Sequence, residues 1–231
     1  MKTISIIGTG IVGQTLASKF ITLGYDVMIG SRNMSERLES TRKDAMGNPS
    51  FSEWYAQNRS VKLGNLVNTV AFSDTIMNCT PGAGSVNTLK LVDTADYKGK
   101  ILIDVSNPLD FSKGMPPSLI PEYCNTNSLG ESIQNSFPDA RVVKALNTTW
   151  CGLMVNPGLV NNGDHSTFIC GNDASAKEHV KGILMSFGWQ EKNIIDLGDI
   201  TAARAVEMYL PLWARIFGAT KNGTFNIKIE Y

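Results

Sequence analysis

Apolar and polar residues follow one another along the chain in blocks that favour strands alternating with helices. A β-branched run at residues 4–7 predicts a buried strand, and residues 14–23 carry apolar side chains at helical spacing. Further strands are predicted at residues 26–30, 61–63, 75–79, 101–105 and 141–145. Because helical segments separate these strands, including a polar one at residues 34–45, we expect parallel pairing with right-handed crossovers. The pattern predicts an α/β fold, namely a Rossmann doubly wound parallel sheet.

The pattern changes after residue 148. A stretch rich in glycine and asparagine precedes predicted strands at residues 166–170 and 194–197, with a helix at residues 174–187 between them. The chain is therefore predicted to form two domains, a Rossmann domain at residues 1–148 and a small C-terminal α+β lobe at residues 149–231.

The last predicted helix, at residues 201–217, is apolar around much of its girth and contains Pro211, which predicts a kink. A helix of this kind is usually buried. Because a lobe of about eighty residues offers little core to surround it, we expect the helix to form a homodimer interface or to line a substrate pocket.

Composition narrows the class of ligand. Acidic and basic residues both number 21 in 231 residues, so bulk charge favours neither nucleic acid nor an anionic membrane as a partner. The four cysteines form no CxxC and build no ligand pattern with the two histidines, so no metal site is predicted. No apolar stretch approaches the 18 residues that a membrane span needs. We expect a cytoplasmic protein with free thiols and a small-molecule ligand.

One turn between the first predicted strand and helix has the spacing GxGxxG: Gly8-Thr9-Gly10-Ile11-Val12-Gly13. In such a turn the first glycine permits the tight bend, the second lets the backbone approach a pyrophosphate, and the third packs helix on strand. The helix N-terminus then presents free N–H groups to phosphates. The turn predicts a dinucleotide site, against the alternative of a ligand-free βα turn.

The end of the second predicted strand distinguishes NADP from NAD. An NAD enzyme usually places Asp or Glu there to hold the ribose 2′-hydroxyl, whereas this chain has Ser31 and Arg32. A hydroxyl and a guanidinium can both hold a 2′-phosphate, which favours NADP(H). The alternative is that Arg32 is an ordinary solvated residue.

Three further strand ends carry polar or turn-forming residues. They are Thr80-Pro81, Ser106-Asn107-Pro108 and Ala145-Leu146-Asn147. Because ligands of such sheets bind beyond the carboxyl ends of the strands, Thr80, Pro81, Asn107, Ala145 and Asn147 are predicted to surround the nicotinamide half of the cofactor. Each segment alone could equally be a turn.

Several of these segments together resemble the coenzyme F420-dependent NADP oxidoreductase family and the related cytosolic domain of the six-transmembrane ferric reductases. The resemblance is carried by the glycine turn, Ser31-Arg32, Val143-Lys144-Ala145-Leu146-Asn147-Thr148 and the tail Thr224-Phe225-Asn226. It implies that Thr9, Ser31 and Arg32 hold the 2′-phosphate. It also implies direct hydride transfer between NADPH and F420, or FMN or FAD in the flavin-linked relatives, without a metal.

No general acid or base is predicted, because transfer between stacked planar rings needs orientation rather than a proton donor. A reductase of a small carbonyl or imine would need such a donor near Asn147, and Lys144 is the nearest candidate. Two other hypotheses stay open: an NADPH-sensing protein without turnover, and a thiol relay through Cys79 and Cys151.

Overall fold

The computed structural model describes residues 2–41, 43 and 47–230. The helix predicted at residues 34–45 is described only in part: it covers Met34–Glu39, and residues 42, 44 and 45 of the prediction lie outside the described residues.

Ten strands are described, of which eight lie close to predicted positions and two short ones, β6 and β7, were not predicted. Their bounds are β1 Thr3–Ile7, β2 Asp26–Gly30, β3 Lys62–Gly64, β4 Thr75–Asn78, β5 Ile101–Asp104, β6 Leu109–Asp110, β7 Ser118–Leu119, β8 Arg141–Ala145, β9 Thr167–Gly171 and β10 Ile194–Asp196. Strands β4 and β5 are buried along their whole length, as the apolar runs predict.

Ten α-helices are described, interspersed with short 3₁₀ turns. Their bounds are α1 Ile11–Thr22, α2 Met34–Glu39, α3 Phe51–Gln57, α4 Leu66–Phe72, α5 Ser85–Leu89, α6 Leu129–Ser136, α7 Cys151–Val155, α8 Ala174–Phe187, α9 Ala203–Met208 and α10 Leu210–Thr220. Helix α3 begins at the capping box that Ser50 and Glu53 form. Helix α8 starts at an Asp173 cap and ends at Gly188 in the left-handed conformation.

Eight strands form one sheet in the order β10-β9-β8-β5-β4-β1-β2-β3. The six neighbouring strands β8-β5-β4-β1-β2-β3 pair in parallel, which confirms the doubly wound Rossmann sheet. Alternate strand residues face opposite layers of helices. One layer contains α1, α3, α7 and α8, and the other contains α4, α5, α6 and α9.

The strands after residue 148 extend this same sheet. Strand β9 pairs antiparallel with β8, and β10 pairs parallel with β9. Phe187 of α8 meets Phe20 of α1 edge to face, with ring centroids 5.1 Å apart, so the C-terminal elements share a core with the first βα unit. The division at residue 148 stays a prediction, and it crosses a continuous sheet.

The apolar segment predicted as one kinked helix is two helices, α9 and α10, that meet at Tyr209. Pro211 lies in the first turn of α10, where its missing N–H costs nothing. Across the described ranges, no helix combines the length and apolar character that crossing a bilayer requires.

Candidate nucleotide site at the strand ends

Two glycines of the β1–α1 turn are fixed by close backbone contacts. Gly8 has a φ of +120°, and a Cβ added there would lie 2.5 Å from the Cys79 carbonyl oxygen. A Cβ at Gly13 would overlap the Gly8 carbonyl oxygen. The turn therefore has the tight bend and the close helix packing that the sequence predicts.

The N-terminus of α1 is open towards the outside of this turn. Nothing lies within 4 Å of a Cβ built at Gly10, and no side chain caps the helix there. The first N–H groups of a helix lack intrahelical partners, so those of α1 are available to an anion. The Gln14 side chain donates to the Thr9 carbonyl oxygen at 2.9 Å and supports the loop from behind.

A cleft of about 990 Å³ extends from this turn to the end of β2. Its lining includes Gly8, Thr9, Gly10, Ile11, Ser31 and Arg32, and it continues to Thr80 and Pro81 at the end of β4. These eight predicted residues are thus brought to one surface. Val12 and Gly13 lie behind it in α1 and support the turn instead.

The β2 end of the cleft contains polar groups without partners. The Ser31 Oγ is buried and makes no hydrogen bond to the described residues. The guanidinium groups of Arg32 and of Arg37 in α2 have no hydrogen-bond or ion-pair partner among them, and both residues are exposed and line the cleft. Glu36 is the acidic residue of this lining. A buried hydroxyl without a partner beside two guanidinium groups suits the 2′-phosphate of NADP.

Cys79 lines the cleft beneath the glycine turn. Burial, and more weakly the charge of Asp104, raises the pKa of the Cys79 thiol. The thiol is therefore protonated at neutral pH, which disfavours a thiolate relay.

The other predicted rim residues, Asn107, Ala145 and Asn147, do not line this cleft. The Asn107 amide donates to the Asn147 carbonyl oxygen at 2.8 Å, and the Asn147 amide donates to Asn107 Oδ1 at 2.9 Å and to the Val206 carbonyl oxygen at 3.1 Å. Ala145 is fully buried in β8. The two asparagines thus join β5 and β8 to α9.

Behind this rim lie three buried charged residues, Asp104, Lys144 and Glu207, called here the buried ionic cluster. The Lys144 Nζ lies 2.7 Å from Asp104 Oδ2, 2.7 Å from Glu207 Oε1 and 2.6 Å from the Ser106 carbonyl oxygen. All three side chains are completely buried. Lys144, the candidate donor near Asn147, therefore has all three of its protons engaged.

Burial and charge pull the pKa values of this cluster in opposite directions. Burial alone would lower the pKa of Lys144, but Asp104 and Glu207 raise it above its usual value. Burial raises the pKa of Glu207, and Lys144 opposes that effect. Lys144 is therefore an ammonium that gives up its proton less readily than an ordinary lysine.

A chain of hydrogen bonds connects the cluster to the cleft. Asn78 donates to Asp104 Oδ1 at 2.8 Å, and the Thr80 hydroxyl donates to Asn78 Oδ1 at 2.7 Å. The wall of the cleft at Thr80 is thereby held in place by the ends of β4 and β5.

Two residues of this architecture escaped the sequence-based prediction. Arg37 is five residues beyond Arg32, on the first turns of a helix, and that spacing after a basic strand end could have indicated it. Glu207 gave no such signal, because its partners Lys144, Leu129 and Gly130 are 63 to 78 residues away along the chain. Among the described residues, no group of three or more His, Cys, Asp or Glu side chains is arranged to hold a metal ion.

Comparison with known proteins agrees with this geometry. The family model described as NADP oxidoreductase coenzyme F420-dependent matches residues 3–108. A crystal structure from Arthrobacter sp. FB24, assigned as an F420-dependent NADP reductase, is 45% identical, covers 100% of both chains and superposes with a TM-score of 0.91. The chain belongs to the coenzyme F420-dependent NADP oxidoreductase family. It is accordingly a member of an NADP-dependent oxidoreductase family.

More distant relatives share the fold. The metalloreductase STEAP3 of Rattus norvegicus is 27% identical over 91% of this chain, which spans 37% of the relative's length. A reductive aminase from Aspergillus terreus is 16% identical, with a TM-score of 0.60 over 95% of this chain and 62% of that one, and so shows the fold alone.

Proposed function

We propose that this member of the F420-dependent family transfers a hydride between NADP(H) and a planar heterocyclic acceptor of the F420 or flavin type. The observation that carries the nucleotide half is the buried, unpartnered Ser31 hydroxyl beside the unpaired Arg32. When bound, NADPH would supply the hydride from its nicotinamide ring.

Different residues of the cleft would bind different parts of the nucleotide. The α1 N-terminus and the open Gly10 face would receive the pyrophosphate, while Thr9, Ser31 and Arg32 would hold the 2′-phosphate. Arg37 adds a second guanidinium on the same wall. Thr80 and Pro81 lie at the end of the cleft that leads to the nicotinamide half.

The engaged state of Lys144 favours ring-to-ring hydride transfer over reduction of a carbonyl or imine. A carbonyl or imine gains a proton as well as a hydride, and Lys144 cannot release one without breaking the buried ionic cluster. Orientation of two stacked rings alone can supply roughly 7–11 kcal/mol of the barrier reduction.

A stack of aromatic rings supports a planar acceptor. Trp213 lies between Phe217 and Phe225, with each pair of centroids 5.4 Å apart and interplanar angles of 7° and 23°. Trp150, four residues beyond the rim residue Leu146, packs against Gly223 beside this stack. A planar heterocycle could extend this stack on a ring face that the three rings leave uncovered.

The test is NADPH oxidation by the purified chain with F420, FMN, FAD and quinones as separate acceptors. We expect turnover with F420 or a flavin and little with quinones. Tight NADPH binding without turnover on any of them would favour the alternative, an NADPH-sensing protein.

The route of the hydride can be followed with an isotope. With NADPH deuterated on the transferring face of C4 and an acceptor that keeps its hydride in a non-exchanging C–H bond, we expect the label in the product. The double variant Cys79→Ala, Cys151→Ala should keep nearly the wild-type rate. Loss of the label to water, or an inactive double variant, would reject direct transfer.

We also propose a two-fold homodimer through the α9–α10 pair. Leu212 and Met208 are 55% and 38% exposed on these helices, and closed two-fold dimers are the commonest assemblies. Light scattering at micromolar concentration should give a dimer mass, and Leu212→Glu should give a monomer. Leu159→Glu, at a residue 50% exposed outside these helices, is the control and should leave the dimer intact.

A further inference from the structure

The buried ionic cluster contains one cation and two anions. Lys144 pairs with both Asp104 and Glu207, and none of the three side chains is accessible to solvent. With all three ionised, the cluster has a net charge of −1, arithmetically +1 for Lys144 and −2 for the two carboxylates. A buried charge is screened far less than a surface one, so its field extends to neighbouring sites.

Hydrogen-bond geometry fixes the charge state of Glu207. Its Oε1 accepts from Lys144 at 2.7 Å and from the Gly130 N–H at 3.0 Å, and its Oε2 accepts from the Leu129 N–H at 2.8 Å. All of these partners are donors, so a proton on either oxygen would face another donor. Glu207 is therefore ionised in this structure.

Asp104 is held in the same state. Its Oδ2 faces the Lys144 ammonium at 2.7 Å. Its Oδ1 accepts from the Asn78 amide at 2.8 Å and from the Ser106 N–H at 3.1 Å. Both carboxylates thus contribute a full negative charge.

Nearby ionisable groups do not cancel the surplus charge. Glu131 and Arg204 form a pair that is neutral as a whole. Burial raises the pKa of Cys170 to about 12, so this neighbour is a neutral thiol. The N-terminus of α6, which supplies the Leu129 and Gly130 N–H groups, offsets only part of the charge on Glu207.

The cluster lies next to the strand ends beyond which the nicotinamide half of the cofactor is expected. Asp104 is the last residue of β5, and Lys144 is its register partner, one residue before the end of β8. The Asn78 and Thr80 bonds continue from Asp104 to the wall of the cleft. Ligands of doubly wound sheets bind beyond these strand ends.

We propose that the surplus negative charge of the buried ionic cluster stabilises the oxidised, positively charged nicotinamide relative to the neutral reduced ring. This makes bound NADPH a stronger hydride donor than free NADPH. The proposal rests on NADP(H) binding in the proposed function. It assigns Glu207 and Asp104 an electrostatic role, since neither needs to touch the cofactor.

The test compares the dissociation constants of NADP⁺ and NADPH, measured by calorimetric titration of the full chain. For a separation on the order of 10 Å and an effective dielectric constant of about 20–40, removing one charge changes the relative affinity about four- to fifteenfold. We expect Glu207→Gln to raise the ratio Kd(NADP⁺)/Kd(NADPH) by that factor. A loss confined to packing would weaken both forms equally.

Glu131→Gln is the matched control, because it changes a glutamate of α6, the helix in contact with α9, that is paired with Arg204 outside the cluster. It should leave the ratio unchanged. Asp104→Asn removes the charge of the other carboxylate and should raise the ratio as Glu207→Gln does. An unchanged ratio in a folded Glu207→Gln or Asp104→Asn variant overturns the proposal.

The wild-type chain provides a readout that needs no variant. If it binds NADPH more than about tenfold tighter than NADP⁺, the surplus charge does not favour the oxidised ring and the proposal is wrong. Absence of binding by both nucleotides would instead contradict the proposed function. The two failures are therefore distinguishable in one set of titrations.

Discussion

The polar side chains at the two ends of the strand-end surface differ in whether they have partners within the protein. At the β2 end, the side chains of Ser31, Arg32 and Arg37 have no partners among the described residues, and no side chain caps the α1 N-terminus. At the β5–β8 end, every charged atom of the buried ionic cluster is paired. Buried polar groups in folded proteins are nearly always satisfied, so the buried Ser31 hydroxyl needs a partner that the described residues do not supply, whereas the buried ionic cluster does not.

The difference distinguishes residues that can contact the nucleotide from residues that act on it only through their charge or by holding the fold in place. Groups that lack partners can bind a nucleotide directly, and their loss should affect the ligand more than the fold. Groups that are fully paired cannot reach a ligand without breaking bonds, and their loss should affect the fold first. Three substitutions test this comparison, from the largest expected effect to the smallest.

Lys144→Met should destabilise the chain most. It leaves two buried carboxylates without their cation, which typically costs about 3–5 kcal/mol in the free energy of unfolding. Urea denaturation measures the change. Lys181→Met is the control, because Lys181 pairs with the largely exposed Glu191, and its loss should change the free energy of unfolding far less. If Lys144→Met lowered the free energy of unfolding as little as Lys181→Met, the contrast between the paired cluster and the unpaired β2 end would be wrong.

Arg32→Ala should affect binding rather than folding. Loss of one charge-assisted contact to the 2′-phosphate, worth about 1.5–3 kcal/mol, predicts roughly ten- to hundredfold weaker NADPH binding. NADH lacks that phosphate and should bind almost as before. Arg59→Ala, which removes a guanidinium stacked 4.7 Å from the Tyr55 ring outside the cleft, should change neither nucleotide. Equal losses of affinity for NADPH and NADH would show that Arg32 does not bind the 2′-phosphate.

Glu131→Gln should give the smallest effect, and a pH-dependent one. Hydrogen bonding to Arg204 lowers the pKa of Glu131, so its stabilisation is present above the unfolded carboxyl pKa and is lost as pH falls through the lower folded value. We expect the variant to lose about 1 kcal/mol at pH 7, discounted for the partly exposed Arg204, and the difference to fade below about pH 4. Unfolding midpoints between pH 3 and pH 7 measure it, and a pH-independent difference would contradict the ion pair.

The predictable part of the molecule is the part specified by local sequence. The GxGxxG turn needs Gly8 and Gly13 because backbone atoms occupy the space of a side chain, and this requirement is visible in six consecutive residues. Helix α8 was predicted at its observed bounds, since an aspartate cap and a terminal glycine enclose it. The basic end of β2 could likewise be identified from Ser31 and Arg32.

The remaining site features depend on distant partners. Asn107 and Asn147 follow their strands as predicted, but each satisfies the other, which no local pattern reveals. Glu207 of α9 pairs with Lys144 of β8 and accepts from the N-terminus of α6, all distant along the chain, so its burial could not be foreseen from an amphipathic pattern. The antiparallel direction of β9 had no sequence signal either, because a short apolar strand looks alike in both directions.

The margins of the eight-stranded sheet have a consequence for self-association. The outermost strands β3 and β10 are only three residues long, and each carries a charged residue held in an ion pair, Lys62 with Asp26 and Asp196 with Lys177. Short, charged edge strands are poor templates for the addition of a strand from another molecule. The sheet is thereby protected from edge-to-edge aggregation.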